Sequence, residues 1–427
     1  MGGNTGPQGP PAPRSHRGGR WALFAEVPGF GRFWAARATS AFGTGTAAVA
    51  LLWLVSAGQA PGLDVGAVAA AELAAPSVLA PILGPLVDRL ERRWLLVGTD
   101  LVRIVTTLAL PFAYEHGGMP AVLPLALAQG VVSVTFGSAA AAALPELVGA
   151  QHLGPANAML VTANQGAAVL GSALGGVLVS LNAVAPFALD AATYVASATL
   201  LATLSVASLG SREAPAAVRR VTYRRQLVEG AKAFADRRAV RVLAGLGMLA
   251  TFGFAPASVA LVMLVRVRLD GGGPGYGAVR AATAVGLALG AQLAPWLVRR
   301  MKSATRAMSV GYLTMGILTV ALGFSPNVAS AASIALVRSG ANSVLGVPNT
   351  VLFQSHVPNE LRGRVFTLLV ALEEAPRLAI LPLAGLLADH TGVRPLFLLM
   401  ALPIVATAAL ALASRALLDD IPSSAPS

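Results

Sequence analysis

The sequence has no cysteine in its 427 residues, so disulfide bonds, thiolate nucleophiles and cysteine-ligated metals are excluded. Charged residues are also scarce. Asp, Glu, Lys and Arg make up 12% of the chain, against about 25% in soluble domains. So little charge cannot cover the surface of several soluble domains, and a soluble multidomain protein is not expected.

Motifs of enzyme chemistry are missing as well. No phosphate-binding G-x-x-x-x-G-K-[ST] loop occurs, which argues against ATP hydrolysis. The five histidines are scattered without the spacing of metal ligands, and no Ser-His-Asp arrangement is recognisable. We expect a protein that is not an enzyme and that uses neither a cofactor nor a metal.

Long apolar runs are the main feature present. Hydrophobic residues make up 55% of the chain, and runs of about 20 residues recur, each long enough to cross the roughly 30 Å hydrocarbon core as a helix. This pattern predicts an all-α membrane protein with twelve transmembrane helices. The predicted spans are 37–57, 66–87, 94–113, 121–144, 157–180, 184–208, 241–265, 276–298, 307–324, 328–353, 365–388 and 395–417.

The spans divide into two groups of six, with a basic stretch between them. The predicted units are a disordered and interfacial N-terminal segment (1–36), a first six-helix bundle (37–208), a basic linker (209–240), a second six-helix bundle (241–418) and a tail (419–427). The N-terminal segment lacks the apolar stretch of a secretory signal. We therefore expect it to stay in the cytoplasm.

The net charge of +12 is explained by where the basic residues fall. With both termini cytoplasmic, the inside segments hold 24 Lys and Arg residues and the outside loops hold three. Cytoplasmic loops collect basic residues, so this asymmetry predicts the orientation. The expected partner of this basic chain is therefore the lipid bilayer of the plasma membrane, and binding to nucleic acid is not expected.

One loop carries a recognisable charge pattern. After the second span the sequence runs Gly84-Pro-Leu-Val-Asp88-Arg89-Leu-Glu-Arg92-Arg93. A basic loop obeying the positive-inside tendency is one interpretation. However, the pattern G-x-x-x-D-R-x-x-R-R at this place resembles the loop signature of the major facilitator superfamily, which implies two six-helix bundles around a central cavity.

Four other segments are similar to the branch of that superfamily that contains enterobactin exporters and related drug efflux proteins. They are Leu144–Val148, Ala156–Ala158, Phe187–Ala191 and Gln354–Val365. The resemblance implies a cytoplasmic gate in which Asp88 faces the start of the eleventh helix and Arg92 pairs with Glu146. The predicted gate residues are Gly84, Asp88, Arg89, Arg92, Arg93, Glu146 and Arg364.

Small residues in the fifth span form a second motif. Gly171, Gly175 and Gly176 lie in a segment that resembles the exporter signature G-P-x-x-G-G, with Ser172 where the proline belongs. Small residues four apart let two membrane helices approach closely. Simple tight packing is the alternative to an antiporter role.

Ionisable residues inside a predicted span need a reason, because each costs at least about 2.5–3.5 kcal/mol on insertion scales. Glu373, Glu374 and Arg377 lie near the middle of the eleventh span. The i,i+4 spacing predicts an ion pair between Glu373 and Arg377, which leaves Glu374 free as the first candidate for proton coupling. A structural ion-pair network is the alternative.

Candidate cavity residues come from several spans. Arg338 is predicted either to contact an anionic substrate or to pair with Glu373 or Glu374. Flexible Met and flat aromatic side chains suit loose recognition of varied ligands, although such residues more often face lipid or another helix. The predicted substrate-cavity residues are Arg338, Asn342, Gln129, Trp53, Met248 and Phe252.

Together these features predict a monomeric, proton-coupled antiporter that exports a small amphipathic molecule such as a drug, siderophore or secondary metabolite. The export direction follows from the resemblance alone. An importer of a small nutrient or siderophore with the same fold is one alternative, and a membrane protein that transports nothing is another.

Overall fold

A computed structural model describes residues 23–75, 90–204, 234, 237–301, 303–357 and 359–419. These residues are helical and contain no β-strand. The helices of the first half are α1 (Leu23–Glu26), α2 (Phe30–Val55), α3 (Pro61–Ala74), α4 (Arg92–Val148), α5 (Leu153–Leu181) and α6 (Ala185–Ala202). Those of the second half are α7 (Arg238–Phe254), α8 (Ala257–Met263), α9 (Gly272–Met301), α10 (Ala304–Gly323), α11 (Val328–His356), α12 (Asn359–Thr391), α13 (Val393–Ala413) and α14 (Arg415–Leu418).

Nine helical segments of the described part are long and apolar enough to cross a membrane. One of them, α4, has 57 residues and breaks at Gly118, where φ is 58°. Glycine adopts this left-handed backbone without steric cost, so the break falls where the sequence permits it. The predicted third and fourth spans lie on either side of Gly118. The all-α membrane fold is confirmed, and the count of twelve helices stays a prediction.

Side-chain caps mark the starts of two helices in the second half. Ser303 accepts a hydrogen bond from the backbone N–H of Arg306 and caps α10. Asn327 and Ser330 form a reciprocal capping box at the start of α11. Such caps satisfy N–H groups that have no partner inside the helix.

The helix bundle has two ends, called the terminal end and the far end. The terminal end is where α2 begins and α13 ends, and the far end is the opposite one, where α2 ends at Val55 and α13 begins at Val393. Helices α2–α6 are called the N-half and helices α7–α13 the C-half. The boundaries of the predicted units stay predictions.

The apolar core joins the two halves at the far end. Its largest cluster contains Val65 and Phe187 of the N-half together with Val262 and Leu381 of the C-half. At the terminal end, separate clusters pack inside each half, around Phe33 in the N-half and around Met308 in the C-half. Burial of apolar surface therefore holds the halves together mainly at the far end.

Glycines permit the closest approaches between the halves. Gly62 and Gly66 of α3 lie against the backbone of Gly385 and Leu381 in α12, with no room for a Cβ. Gly176 of α5 lies equally close to the start of α9. These α3–α12 and α5–α9 contacts close the far end.

Candidate functional site

Arg92 and Glu146 form an ion pair at the terminal end of the N-half. Arg92 begins α4 and Glu146 lies in its last turn, so the break at Gly118 brings the two ends of this helix together. Arg93 donates a hydrogen bond to the backbone oxygen of Ala202 in α6. The predicted partnership of Arg92 and Glu146 is therefore present.

The remaining gate residues cannot be placed in the same way. Gly84, Asp88 and Arg89 lie outside the described residues, as does the side chain of Arg364 in α12. The contact between Asp88 and the start of α12 stays a prediction.

The N-half contains a cavity of about 350 Å³, here called the N-half cavity. Gln129, one of the predicted cavity residues, lines it and donates from Nε2 to Thr107 Oγ1 at 2.7 Å. Thr107 in turn donates to Asp190 Oδ2 at 3.1 Å. Glu72 and Asp190 bring two carboxyl groups to this cavity.

Arg103 of α4 connects this cavity with a neighbouring ion pair. Its Nη1 lies 3.7 Å from Asp100 Oδ1, an i,i+3 pair within the same helix. The guanidinium also lies over the ring of Phe136, 4.6 Å from the centroid. Both side chains of the ion pair are buried, with 8% and 0% exposure.

A second cavity, of about 550 Å³, is lined by described residues of the N-half and, from the C-half, by Arg280 alone among them; it is called the interdomain cavity. Arg37 of α2, Arg103 of α4 and Arg280 of α9 face it. Asn164 lies beside Arg37, and with the amide oxygen turned toward the guanidinium it accepts a hydrogen bond from Nη2 at 3.2 Å. The wall therefore carries three arginines in a largely apolar setting.

A third cavity, of about 470 Å³, lies within the C-half and is called the C-half cavity. Met308, Tyr312, Phe353 and Leu369 give it an apolar lining, and Glu373 supplies its carboxylate. No described residue hydrogen-bonds to the Glu373 side chain. The cavity suits an amphipathic guest or a proton held on Glu373.

The predicted pairing on α12 is wrong. Arg377 donates from Nη1 to Glu374 Oε1 at 2.7 Å, so the ion pair is i,i+3 with Glu374 and not i,i+4 with Glu373. The reason lies on a neighbouring helix. Gly247 of α7 has no side chain, and the Glu373 carboxylate occupies the space where its Cβ would be. Glu373 is thus directed toward the C-half cavity, while Glu374 has a partner.

Arg338 pairs with neither carboxylate of α12. It is buried, with 8% exposure, and donates from Nε to Thr319 Oγ1 of α10 at 2.8 Å. Asn342, one turn further along α11, is exposed. Neither residue lines one of the three cavities, and Arg338 turns toward α10.

Trp53, Met248 and Phe252 also lie away from the three cavities. Trp53 stacks on Tyr276 with centroids 6.0 Å apart and lies under the Arg266 guanidinium at the far end. Met248 is half-buried. Phe252 of α7 is 48% exposed.

The three glycines of α5 form helix contacts. Gly171 and Gly175 face α2 at Phe42 and Thr46, and Gly176 faces α9 at Gly273 and Gly277. A Cβ at any of the three would collide with backbone atoms. Tight packing is therefore what the structure shows for this motif.

The far end is also held by polar contacts between the halves. Arg266 of the C-half donates from Nη1 to the backbone oxygen of Trp53 at 2.8 Å and to Ser56 Oγ at 3.0 Å. Asp389 of α12 accepts hydrogen bonds from the backbone of Gly62 and Leu63 in α3. Sequence reasoning missed Asp389, because its partners are backbone groups 326 and 327 residues away.

Arg37 and Arg280 were also missed as site residues. The signal for Arg280 was its position inside an apolar span, but only the folded chain shows that it lines the same cavity as Arg37. Across the described part of the chain, no group of three or more His, Asp or Glu side chains is placed to hold a metal ion.

Helices that cross a membrane, two halves and a cavity between them define the class of a polytopic membrane transporter. The sequence model of the Major Facilitator Superfamily matches residues 33–378, and the chain belongs to this family. The protein is a transporter and not an enzyme.

Known relatives agree with this assignment. The chain is 26% identical over 377 residues to the "Multidrug efflux pump Tap" of Mycolicibacterium fortuitum. The aligned region covers 86% of this chain and 91% of that protein. Among solved structures it is similar to the nucleoside transporter NupG, with a TM-score of 0.70, 13% identity and coverage of 91% of this chain and 99% of that one. A bacterial homologue of the iron transporter ferroportin in an inward-facing state gives a TM-score of 0.71 at 16% identity, covering 90% and 98%. The structural likeness shows the fold.

Proposed function

We propose that this transporter exports small amphipathic molecules across the plasma membrane in exchange for protons. One observation carries the proposal: Arg280 of the C-half faces a cavity that is otherwise lined by described residues of the N-half, while close contacts between the halves shut the far end. Rocking of one half against the other would expose such a cavity alternately to the two sides.

Glu373 is the proposed proton-coupling residue. A carboxylate at membrane depth is costly without a partner, and no described residue hydrogen-bonds to Glu373, which lines the C-half cavity. Glu374, the first candidate from the sequence, is occupied by Arg377 at 2.7 Å. Glu374 and Arg377 are therefore assigned to an ion pair within α12, beside the coupling residue.

The gate is proposed at the terminal end. Arg92 and Glu146 form its described ion pair, and Asp88 is assigned to the start of α12, where the free N–H groups favour a carboxylate. In this proposal the contact of Asp88 with α12 forms when the terminal end closes and breaks when it opens, whereas the Arg92–Glu146 pair lies within the N-half and is present with the far end shut.

The distribution of basic residues supports the proposed orientation of the chain in the membrane, and a known relative supports the proposed direction of transport. Basic residues collect at the terminal end and number only three in the loops of the far end, which favours cytoplasmic termini. The relative from Mycolicibacterium fortuitum is named as an efflux pump. The chain is proposed to act as a monomer within the lipid bilayer.

Accumulation of fluorescent amphipathic dyes in cells that lack their own efflux pumps tests this function. Cells with and without the protein are compared, each with and without a protonophore. We expect the protein to lower dye accumulation and the protonophore to abolish the difference. Glu373→Gln should remove the effect, because an amide cannot release a proton.

Glu115→Gln is the matched control, since Glu115 is exposed and lies outside the three cavities. It removes one carboxylate elsewhere and should leave efflux unchanged. With the protein present in the membrane, unchanged accumulation of every dye would contradict export of amphipathic molecules. Higher accumulation would indicate an importer.

A further inference from the structure

We propose that the interdomain cavity binds the anionic group of the substrate, with Arg37 and Arg280 as its ligands. The inference rests on the proposed transport function and names the chemical class of the substrate as an amphipathic organic anion. Arg37 comes from the N-half and Arg280 from the C-half, so one anion would contact both moving parts of the transporter.

Arg280 is the more informative of the two arginines. It is half-buried within α9 and lines the cavity. No described carboxylate forms an ion pair with it, and no described residue accepts a hydrogen bond from it. A guanidinium at membrane depth is costly unless an anion or polar partner is supplied. Since no described residue supplies a partner for Arg280, the anionic group of the bound substrate would supply it.

Charges around the cavity leave a positive excess. Arg37, Arg103 and Arg280 line it, and none of the described carboxylates does. Asp100 lies next to Arg103 at 3.7 Å and also interacts electrostatically with Arg37. One carboxylate therefore faces two of the three guanidinium groups.

The two remaining carboxylates nearby belong to the N-half cavity. Glu72 and Asp190 line that cavity, into which Arg103 also reaches. We therefore assign Arg103 to these acidic neighbours and to Asp100. Arg37 and Arg280 stay available for the substrate.

The other groups on the wall suit an organic anion and not a bare inorganic ion. Phe136 presents its ring to Arg37, with the guanidinium carbon 5.2 Å from the centroid. Asn164 and Gln165 offer amide groups, and Ala41, Ala48 and Val161 provide apolar surface. Arginine binds carboxylate, sulfonate and phosphate groups through its planar fork, and the apolar surface would hold the carbon skeleton.

A matched pair of probes tests the sign of the charge. Pyrene-1-sulfonate and (pyren-1-ylmethyl)trimethylammonium share one ring system and carry permanent opposite charges. Binding of each is measured by fluorescence anisotropy to the full-length protein in nanodiscs of zwitterionic lipid, with empty nanodiscs as background. We expect the sulfonate to bind at least about tenfold more tightly than the ammonium probe, which corresponds to about 1.4 kcal/mol.

Substitutions then locate the site. Arg280→Gln and Arg37→Gln should each weaken sulfonate binding by about tenfold or more and leave the ammonium probe unchanged. Arg306→Gln is the matched control, because Arg306 is exposed at the start of α10 and lies outside the three cavities. Arg280→Lys keeps the charge without the fork, so partial binding is expected.

Equal binding of the two probes, or sulfonate binding that is unchanged in Arg280→Gln, would overturn the inference. A further arm uses nanodiscs that contain phosphatidylglycerol. If this lipid displaces the sulfonate from the wild type, the occupant is a lipid headgroup, and the assignment to a free substrate is overturned.

The dye assay separates this inference from the proposed function. Protonophore-sensitive efflux of cationic dyes that survives in Arg280→Gln would contradict an anionic substrate and leave the exporter standing. Arginine-dependent sulfonate binding by a protein that exports no dye would support the site and contradict broad export.

Discussion

Asp389 accepts a hydrogen bond from the backbone N–H of Gly62 at 2.8 Å, across the boundary between the two halves. Its second oxygen accepts from Leu63 at 2.9 Å. One carboxylate at the end of α12 thus satisfies two N–H groups at the start of α3, where the helix dipole also favours negative charge. The predicted contact of Asp88 with the start of α12 would be the same arrangement at the terminal end, with the two helices exchanged.

Removing the Asp389 carboxylate should open the far end. Hydrogen bonds to a charged group contribute about 1.5–3 kcal/mol each, so Asp389→Ala should shift the balance toward the far-end-open state by tenfold or more. Because the chain has no cysteine, spin labels are introduced simply at Ala57→Cys and His390→Cys. Double electron–electron resonance should then show a longer distance between the labels.

Glu115→Gln serves as the control for this experiment, since it removes an exposed carboxylate. It should leave the label distance unchanged. A distance distribution that is the same in Asp389→Ala and the wild type would show that Asp389 does not hold the far end closed.

Neighbouring carboxylates on α12 should respond differently to neutralisation. Glu374→Gln loses the ion pair with Arg377 and leaves the guanidinium without its partner, so we expect a lower melting temperature. Glu373→Gln breaks no described hydrogen bond, so its melting temperature should stay near that of the wild type while dye efflux is lost. Thermal unfolding of the purified variants checks the first property and the dye assay checks the second. Loss of dye efflux in Glu374→Gln, together with a lower melting temperature in Glu373→Gln, would instead assign the coupling role to Glu374.

Packing of α5 against α2 gives a prediction with an internal control. Gly171 lies against the backbone of Phe42 and Thr46, whereas Gly166 on the same helix has no atom within 4 Å of an added Cβ. Gly171→Ala should reduce the amount of folded protein in the membrane. Gly166→Ala should be neutral or stabilising by about 0.5–1 kcal/mol, because alanine favours helices over glycine. Size-exclusion chromatography of the solubilised variants measures both, and equal yields would contradict the close contact.

The Asp419 carboxylate connects α14 with the start of α10, and its contribution to stability depends on pH. Burial alone would raise the pKa of Asp419, but hydrogen bonds from Thr305, Arg415 and Ser303 outweigh it and lower the pKa below its ordinary value. A lowered pKa in the folded state means that the stabilisation is present above the unfolded pKa of about 3.9. It is lost as the pH falls through the lower, folded value.

Asp419→Asn should therefore melt at a lower temperature than the wild type at pH 7. The difference between the two proteins should shrink as the pH is lowered below about 4. A difference that is constant from pH 7 to pH 3 would show that the charge of Asp419 contributes nothing.

The helices could be predicted from the sequence because each depends on one continuous apolar run. The contacts of Gly171 and Gly175 were also accessible from the spacing of small residues, and the ion pair of Arg92 with Glu146 was implied by the family resemblance. The partner of Arg377 was not, because Gly247 on another helix decides where Glu373 points. The placement of Arg37 and Arg280 at one cavity requires two halves to be packed together, and no local pattern encodes it.

Proton movement in proteoliposomes tests the central claim most directly. Vesicles are loaded with a transported dye and a pH-sensitive fluorophore, and the outside is made acidic. The account predicts that wild-type protein releases the dye faster and acidifies the interior, while Glu373→Gln does neither and Glu115→Gln does both. Dye release that ignores the pH gradient, with no acidification of the interior, would contradict proton-coupled export.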